Sequence, residues 1–126
     1  MKIEELFRSF SVTAAEWEPL IDVASRMRFN DVGSAAIVSD GKLVGIITER
    51  DLVRAISEGA DVTSTRAGEY MTADPVVVSP QTDVDEAART MARLGIAHLP
   101  VVERDHLVGV TSIRDVVLDL IARDVA

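Results

Sequence analysis

The chain has 126 residues, 13 of them Lys or Arg against 21 Asp or Glu, giving a formal net charge of -8, with no cysteine and two histidines. Its apolar content, 48%, suffices for a globular core. The lack of cysteine excludes a disulfide framework or thiolate metal site, two histidines are thin material for a metal centre, and scattered basic residues on an acidic chain argue against nucleic-acid binding. No apolar run approaches a membrane span, and "MKIEELFRSF" lacks the core of a signal peptide, so a soluble, cytoplasmic protein is expected.

In chain order, Trp17 precedes a helix that Pro19 opens in its first turn and whose apolar face is Leu20, Val23, Ala24 and Met27. Trp17 is expected to pack against it, with a contact between modules as the alternative. "AAIV" (35–38) and "LVGII" (43–47) are strands joined by the hairpin turn "SDGK", in which Asp40-Gly41 is a strong turn signal. Mid-strand Gly45 costs stability unless a helix or a ligand approaches closely. A helix with a narrow stripe of Leu52, Val53 and Ile56 follows, and Thr63 to Arg66 form a short join.

The second half begins with a strand, "PVVV" (75–78), and a helix with Val84, Ala87, Ala88, Met91 and Leu94 on one face. Thr82 and Asp85 are spaced as a capping box, and Gly95 as a C-terminal stop. "LPVV" (99–102), the turn "ERDH" and "LVGVT" (107–111) form a second hairpin. The closing helix carries Ile113, Val116, Val117, Leu120 and Ile121 at helical spacing, a stripe either buried within the molecule or shared with another chain.

These halves are one pattern written twice. A shift of 64 aligns residues 3–62 with 67–126 without a gap and with about eleven identities, among them Glu5/Glu69, Met27/Met91, Gly45/Gly109, Arg50/Arg114 and Asp51/Asp115. The fold expected is α/β (α+β), with repeats at 1–62 and 67–126, each about β-α-β-β-α. A domain of about 60 residues is marginal alone. The repeats are therefore expected to pack sheet to sheet about an approximate two-fold axis, leaving two equivalent crevices.

The repeated "TERD" and "SIRD" admit two readings. Thr48 or Ser112 at a strand end, followed three residues later by Asp51 or Asp115, is a helix-capping signature, and from the motif alone this reading stands first. The same helix start also suits an anion: Thr48 and Ser112 can bond a phosphate oxygen or a sugar hydroxyl, whereas the ionised aspartates accept only and suit a ribose diol. Arg50 and Arg114 sit unfavourably in a first helical turn unless partnered by an anionic ligand, a carboxylate or water. No nucleophile elbow, metal cluster or P-loop is present, so no enzymatic activity is expected.

The doubled G-h-h-T/S-x-x-D pattern (h apolar) in "GIITERD" and "GVTSIRD", the "HLPVV" strand at 98–102 and the lead-in "EYMTADPVVV" resemble a tandem pair of cystathionine beta-synthase (CBS) domains, a Bateman module, over almost the entire chain. The resemblance implies a regulatory module that binds an adenosine-containing ligand (AMP, ADP, ATP, S-adenosylmethionine or NAD) in the crevices, forms a homodimer and signals to a partner protein. The alternative is a protein-interaction or dimerisation module without a specific ligand. Carried over, Asp51 and Asp115 would hold ribose hydroxyls, and Thr48 and Ser112 ribose or phosphate. The residues before "LPV", Ala97 and His98, would face phosphates; their first-copy counterparts are Gly33 and Ser34, with Ala36 in place of Pro100. The lead-in would supply Thr72, Val76 and Val78, while the matching stretch from Arg8 to Ala14 departs from the pattern, so unequal sites are expected.

Overall fold

The computed structural model describes residues 1–6 and 11–125, with side chains as far as Arg123. The chain forms two packing units, one of Ser11–Pro75 and the other of Met1–Phe10 with Val76–Ala126. In the first unit, β1 (Thr13–Ala14), α1 (Leu20–Phe29), β2 (Ser34–Ser39), β3 (Lys42–Thr48) and α2 (Glu49–Ser57) are followed by a short α3 (Ala67–Tyr70) and β4 (Thr72–Ala73). Its sheet has the order β1-β2-β3-β4, with β1 parallel to β2 and the other pairs antiparallel. In the second unit a 3-10 turn at Ile3–Glu5 accompanies α4 (Val84–Leu94), the hairpin of β5 (His98–Glu103) and β6 (His106–Ser112), and α5 (Ile113–Val125). No helix among the described residues is long and apolar enough to cross a membrane.

Both hairpins turn on two residues with positive φ, Asp40 and Gly41 in one, Arg104 and Asp105 in the other, the geometry that matches strand twist in a two-residue loop. The ladder shifts register at the same repeat position, between Ile37 and Val38 and between Val101 and Val102. Alternation then sorts the side chains. Ala35, Ile37 and Ile47 join Leu20, Val23 and Met27 in one core, while Leu99 and Val101 join Val84, Ala87 and Met91 in the other. The opposite hairpin face carries Ser34 across from Thr48, and His98 across from Ser112.

The packing units are offset from the sequence repeats because each repeat's lead-in packs within the unit built mainly from the other. Ala67 N–H donates to Glu18 O at 2.8 Å, Gly68 N–H to Glu16 O at 2.9 Å and Leu20 N–H to Thr65 O at 2.9 Å. Shifted by 64 positions, the same bonds recur: Ile3 N–H to Thr82 O at 2.9 Å, Glu4 N–H to Pro80 O at 3.0 Å, and Val84 N–H to Met1 O at 3.0 Å. Ala67 and Ile3 are both fully buried. The recurrence of Glu5 and Glu69 has its cause here, since their carboxylates accept the backbone N–H of Lys2 and Arg66 and fix the two lead-in turns.

Several expectations are corrected. The strand at 75–78 contracts to a single parallel bridge between Val78 and Val101. Thr82 and Asp85 do not form the capping box: the Thr82 hydroxyl accepts from Ser79 N–H, and α4 starts behind Asp83, whose carboxylate pairs with Lys2 at 2.9 Å. Pro19 is the residue before α1, with an extended ψ, rather than part of its first turn. Trp17 is 67% exposed in the turn ahead of α1 instead of packed. Of the α2 stripe, Leu52 reaches the core but Val53 and Ile56 do not, and Ala55 is buried in their place. The α5 stripe, for which a buried and a shared position were both open, buries only Val116 within the chain and leaves Ile113, Val117, Leu120 and Ile121 exposed. Gly95, by contrast, ends α4 in the left-handed conformation expected of it.

The close approach at Gly45 comes from the β4 segment. Gly45 pairs with Ala73 of β4, and a Cβ at this position would press on the Met71 sulfur and lie 3.0 Å from Thr72 O. Gly45→Ala is therefore expected to lower stability by about 1–3 kcal/mol through overpacking, read as a lower urea midpoint with an unchanged m value; an unchanged midpoint would show that β4 yields freely.

Candidate functional site

Each unit gathers the candidate residues where its hairpin runs into the following helix. In the first, Gly33 O accepts the N–H of Glu49, the first residue of α2, at 3.2 Å. Thr48 N–H donates to Asp51 Oδ2 at 2.8 Å, the Thr48 hydroxyl donates to the same oxygen at 3.1 Å, and the pair has the reciprocal arrangement of a capping box. In the second unit Ala97 O accepts from Ile113 N–H at 2.8 Å, Ser112 N–H donates to Asp115 Oδ2 at 3.3 Å, and Asp115 N–H donates to Ser112 Oγ at 3.2 Å. The capping reading of both motifs is thus realised in the geometry.

Capping uses one carboxylate oxygen. Both boxes employ Oδ2, while Asp51 Oδ1 faces the Arg54 guanidinium at 3.8 Å, beyond hydrogen-bond length. An ionised carboxylate has two oxygens and about four lone-pair sites. The cap therefore orients each aspartate without exhausting it. Thr48, Asp51, Ser112 and Asp115 are all half-buried, so their side chains are ordered yet still reach the surface.

Around these pairs, Ser34 is buried and stands across β2 and β3 from Thr48, and Thr72 of β4 stands beside Ile46 on the same hairpin face. Gly33, Ser34, Thr48, Asp51 and Thr72 are thereby drawn together within one unit. Ala97, His98, Ser112 and Asp115 form the corresponding group in the other, His98 facing Ser112 across the hairpin. Arg50 and Arg114 lie on the exposed first turns of α2 and α5, and both Arg50 and His98 are engaged by other groups of the chain. Val76 and Val78 do not join the second group. Val78 packs on the core, and both line an open groove of about 540 Å³ with Val102, Arg104 and Asp105, at the turn end of the hairpin away from Ser112. The lead-in counterparts Arg8 to Phe10 lie outside the described residues. No cluster of three or more potential metal-binding side chains occurs among the described residues.

One feature escaped the sequence reading. Arg54 stacks over the Tyr70 ring at 4.7 Å and donates to Tyr70 O at 3.2 Å, while the Tyr70 hydroxyl donates to Glu58 Oε1 at 2.8 Å. The Glu58 carboxylate raises the Tyr70 phenol above its ordinary pKa. The i,i+3 and i,i+4 spacing of Asp51, Arg54 and Glu58 was visible in the sequence, but the partner on α3 was not.

Comparison with known proteins gives the same duplication. The CBS domain profile matches residues 4–58 and again 67–121. An uncharacterized protein of Methanopyrus kandleri is 31% identical over 92% of this chain, which spans 61% of that protein's length. A CBS domain-containing protein of Bacillus subtilis is 29% identical, with 90% of this chain and 81% of that protein covered. Among solved structures, a CBS domain protein from Pyrobaculum aerophilum complexed with AMP superposes with a TM-score of 0.86 at 30% identity, covering 97% of this chain and 99% of that one.

An amide in place of each carboxylate separates the cap from the free oxygen. Asp51→Ala and Asp115→Ala are each expected to cost about 1 kcal/mol by deleting a cap bond. Asp51→Asn and Asp115→Asn, which retain an acceptor for the backbone N–H, are expected to stay within about 0.5 kcal/mol of the parent in urea titrations. Equal losses for Ala and Asn would show that the charge, not the hydrogen bond, holds the helix start.

Proposed function

The chain belongs to the CBS-domain family, and on that premise we propose that it is a regulatory sensor. It binds an adenosine-containing ligand, of the set AMP, ADP, ATP, S-adenosylmethionine and NAD, and passes its occupancy to a partner protein. The observation that carries this reading is the half-used carboxylate at each helix start. Oδ2 is held by the cap, and the remaining oxygen is fixed where a ribose hydroxyl can donate to it. The helix N-terminus favours negative charge, so Thr48 or Ser112 receives phosphate or sugar oxygen beside it, with Ser34 and His98 adjacent and Arg50 and Arg114 supplying local positive charge on a chain of net charge -8. The AMP complex of the Pyrobaculum relative supports the adenosine class.

The groups around the two carboxylates differ. Ser34 and Gly33 stand where the second repeat has His98 and Ala97, so a ligand with ionised phosphates meets an additional titratable donor at the second. Unequal affinities follow. Occupancy regulates only if two states of the protein bind the ligand differently.

A second reading, an interaction or dimerisation module without a ligand, is favoured by the exposed face of α5. Ile113, Val117, Leu120 and Ile121 present one apolar stripe, which suits a second copy of the chain. We place the sensor in the cytoplasm as a homodimer formed through this face, so that the two readings share an assembly and differ in the ligand.

Thermal unfolding with each of the five ligands decides between them. A ligand at 100 times its Kd adds about 2.7 kcal/mol, so at least one is expected to raise the Tm by several degrees, and Asp51→Asn or Asp115→Asn is expected to diminish that rise without lowering the starting Tm. No shift with any of them would favour the ligand-free interaction module.

A further inference from the structure

We infer that Arg54 is a positioning residue that links Asp51 to the α3–β4 segment, so that ligand bound at the first helix start is felt by Thr72 and its neighbours; this rests on the nucleotide reading above. Arg54 Nη2 lies 3.8 Å from Asp51 Oδ1, the oxygen left over by the cap, and 3.2 Å from Tyr70 O at the end of α3. Its guanidinium stacks on the Tyr70 ring at 4.7 Å, and Nη1 is 3.9 Å from Glu58, which itself accepts from the Tyr70 hydroxyl at 2.8 Å. Tyr70 leads through Met71 directly into β4, whose residues Thr72 and Ala73 pair with Ile46 and Gly45. Met71 closes over Gly45. A single cation therefore faces the candidate ribose acceptor at 3.8 Å on one side and bonds the carbonyl of Tyr70, two residues ahead of Thr72, on the other.

The molecule contains its own control. In the second repeat the positions of Arg54, Glu58 and Tyr70 are occupied by Leu118, Ala122 and Leu6, none of which carries a charge or a polar side chain. Leu6 packs against the apolar core of its unit instead. Asp115 keeps the cap but has no such cation at this position. The repeat thus preserves the helix start in both copies and adds the link to only one.

The direction of the effect follows from charge competition. Asp51 Oδ1 now faces the guanidinium, and a ligand hydroxyl donating to that oxygen takes up part of its negative charge. Arg54 then binds the Tyr70 carbonyl and Glu58 more firmly, and β4 is held more tightly to β3. Reciprocally, tightening α3–β4 strengthens binding at Asp51. The Asp51–Arg54 pair is partly solvated, with the Arg54 side chain 49% exposed, so the effect is modest.

Two measurements test the link. With AMP as probe, amide exchange at Thr72 and at Asp74, whose N–H donates to Val44 O at 3.2 Å, is expected to slow in the parent by about threefold, and in Arg54→Leu to show no such change, with Arg54→Lys intermediate because it keeps the charge but loses the planar stack. The same slowing in Arg54→Leu would overturn the proposal. Without any ligand, Asp51→Asn and Tyr70→Leu are expected to be non-additive in urea midpoint when Arg54 is present and additive in the Arg54→Leu background; additivity in both backgrounds would overturn it equally. If AMP alters neither melting nor exchange, the probe is replaced by whichever of the five ligands raises the Tm; if none does, the nucleotide reading fails, and the ligand-free cycle alone still decides whether Arg54 joins Asp51 to α3.

Discussion

The start of the helix that follows each hairpin is the constraint on which the rest of this protein depends. A strand must end, the chain must turn into a helix, and the first backbone N–H groups of that helix must find acceptors. Here one is taken by the carbonyl of the residue just ahead of the hairpin's first strand, Gly33 or Ala97, and the box of Thr48 with Asp51 or Ser112 with Asp115 fixes the turn. This ties β2 to α2 and β5 to α5 at one point. It also explains why a hydroxyl and a carboxylate recur at a spacing of three residues. The same constraint orients an ionised group with an oxygen to spare, which is how a structural necessity becomes a place for a sugar.

The second organising feature is the reciprocal exchange of lead-in segments. Because Met1–Phe10 packs with Val76–Ala126, and 67–75 with the rest of Ser11–Pro75, neither repeat is complete with its own lead-in alone. A sequence unit of about 60 residues buries too little surface to be robust. Exchange adds buried contacts, such as Ile3 and Ala67, and makes each unit depend on chain from both ends of the duplication. Duplication nonetheless left the copies free to diverge away from the shared cap: Arg26 of α1 binds Glu18 at 2.6 Å and Thr13 O at 2.7 Å where the second repeat has Thr90, and Ile47 in one core corresponds to the buried hydroxyl of Thr111 in the other.

What could be read from the sequence was whatever a short window specifies. The Asp40-Gly41 turn, the faces of α1 and α4 apart from the exposed Leu94, and the stop at Gly95 are local, and each is found in place. The two caps were legible for the same reason. What depended on distant partners was not. Nothing near Asp83 reveals that Lys2 reaches it, nothing in "EYMT" says which repeat it packs with, and helical spacing cannot say which way the stripes of α2 and α5 face.

Grouping of Ser34, Thr48, Asp51 and Thr72, and separately of His98, Ser112 and Asp115, makes one claim central: a carboxylate can cap its helix and hold a ligand at once. A crystal structure of the protein grown with AMP tests this most directly. The account requires ribose hydroxyls bonded to Oδ1 of Asp51 or Asp115 while Oδ2 still accepts the N–H of Thr48 or Ser112. AMP ordered elsewhere on the protein, or a carboxylate that has left its cap to reach the sugar, would contradict it.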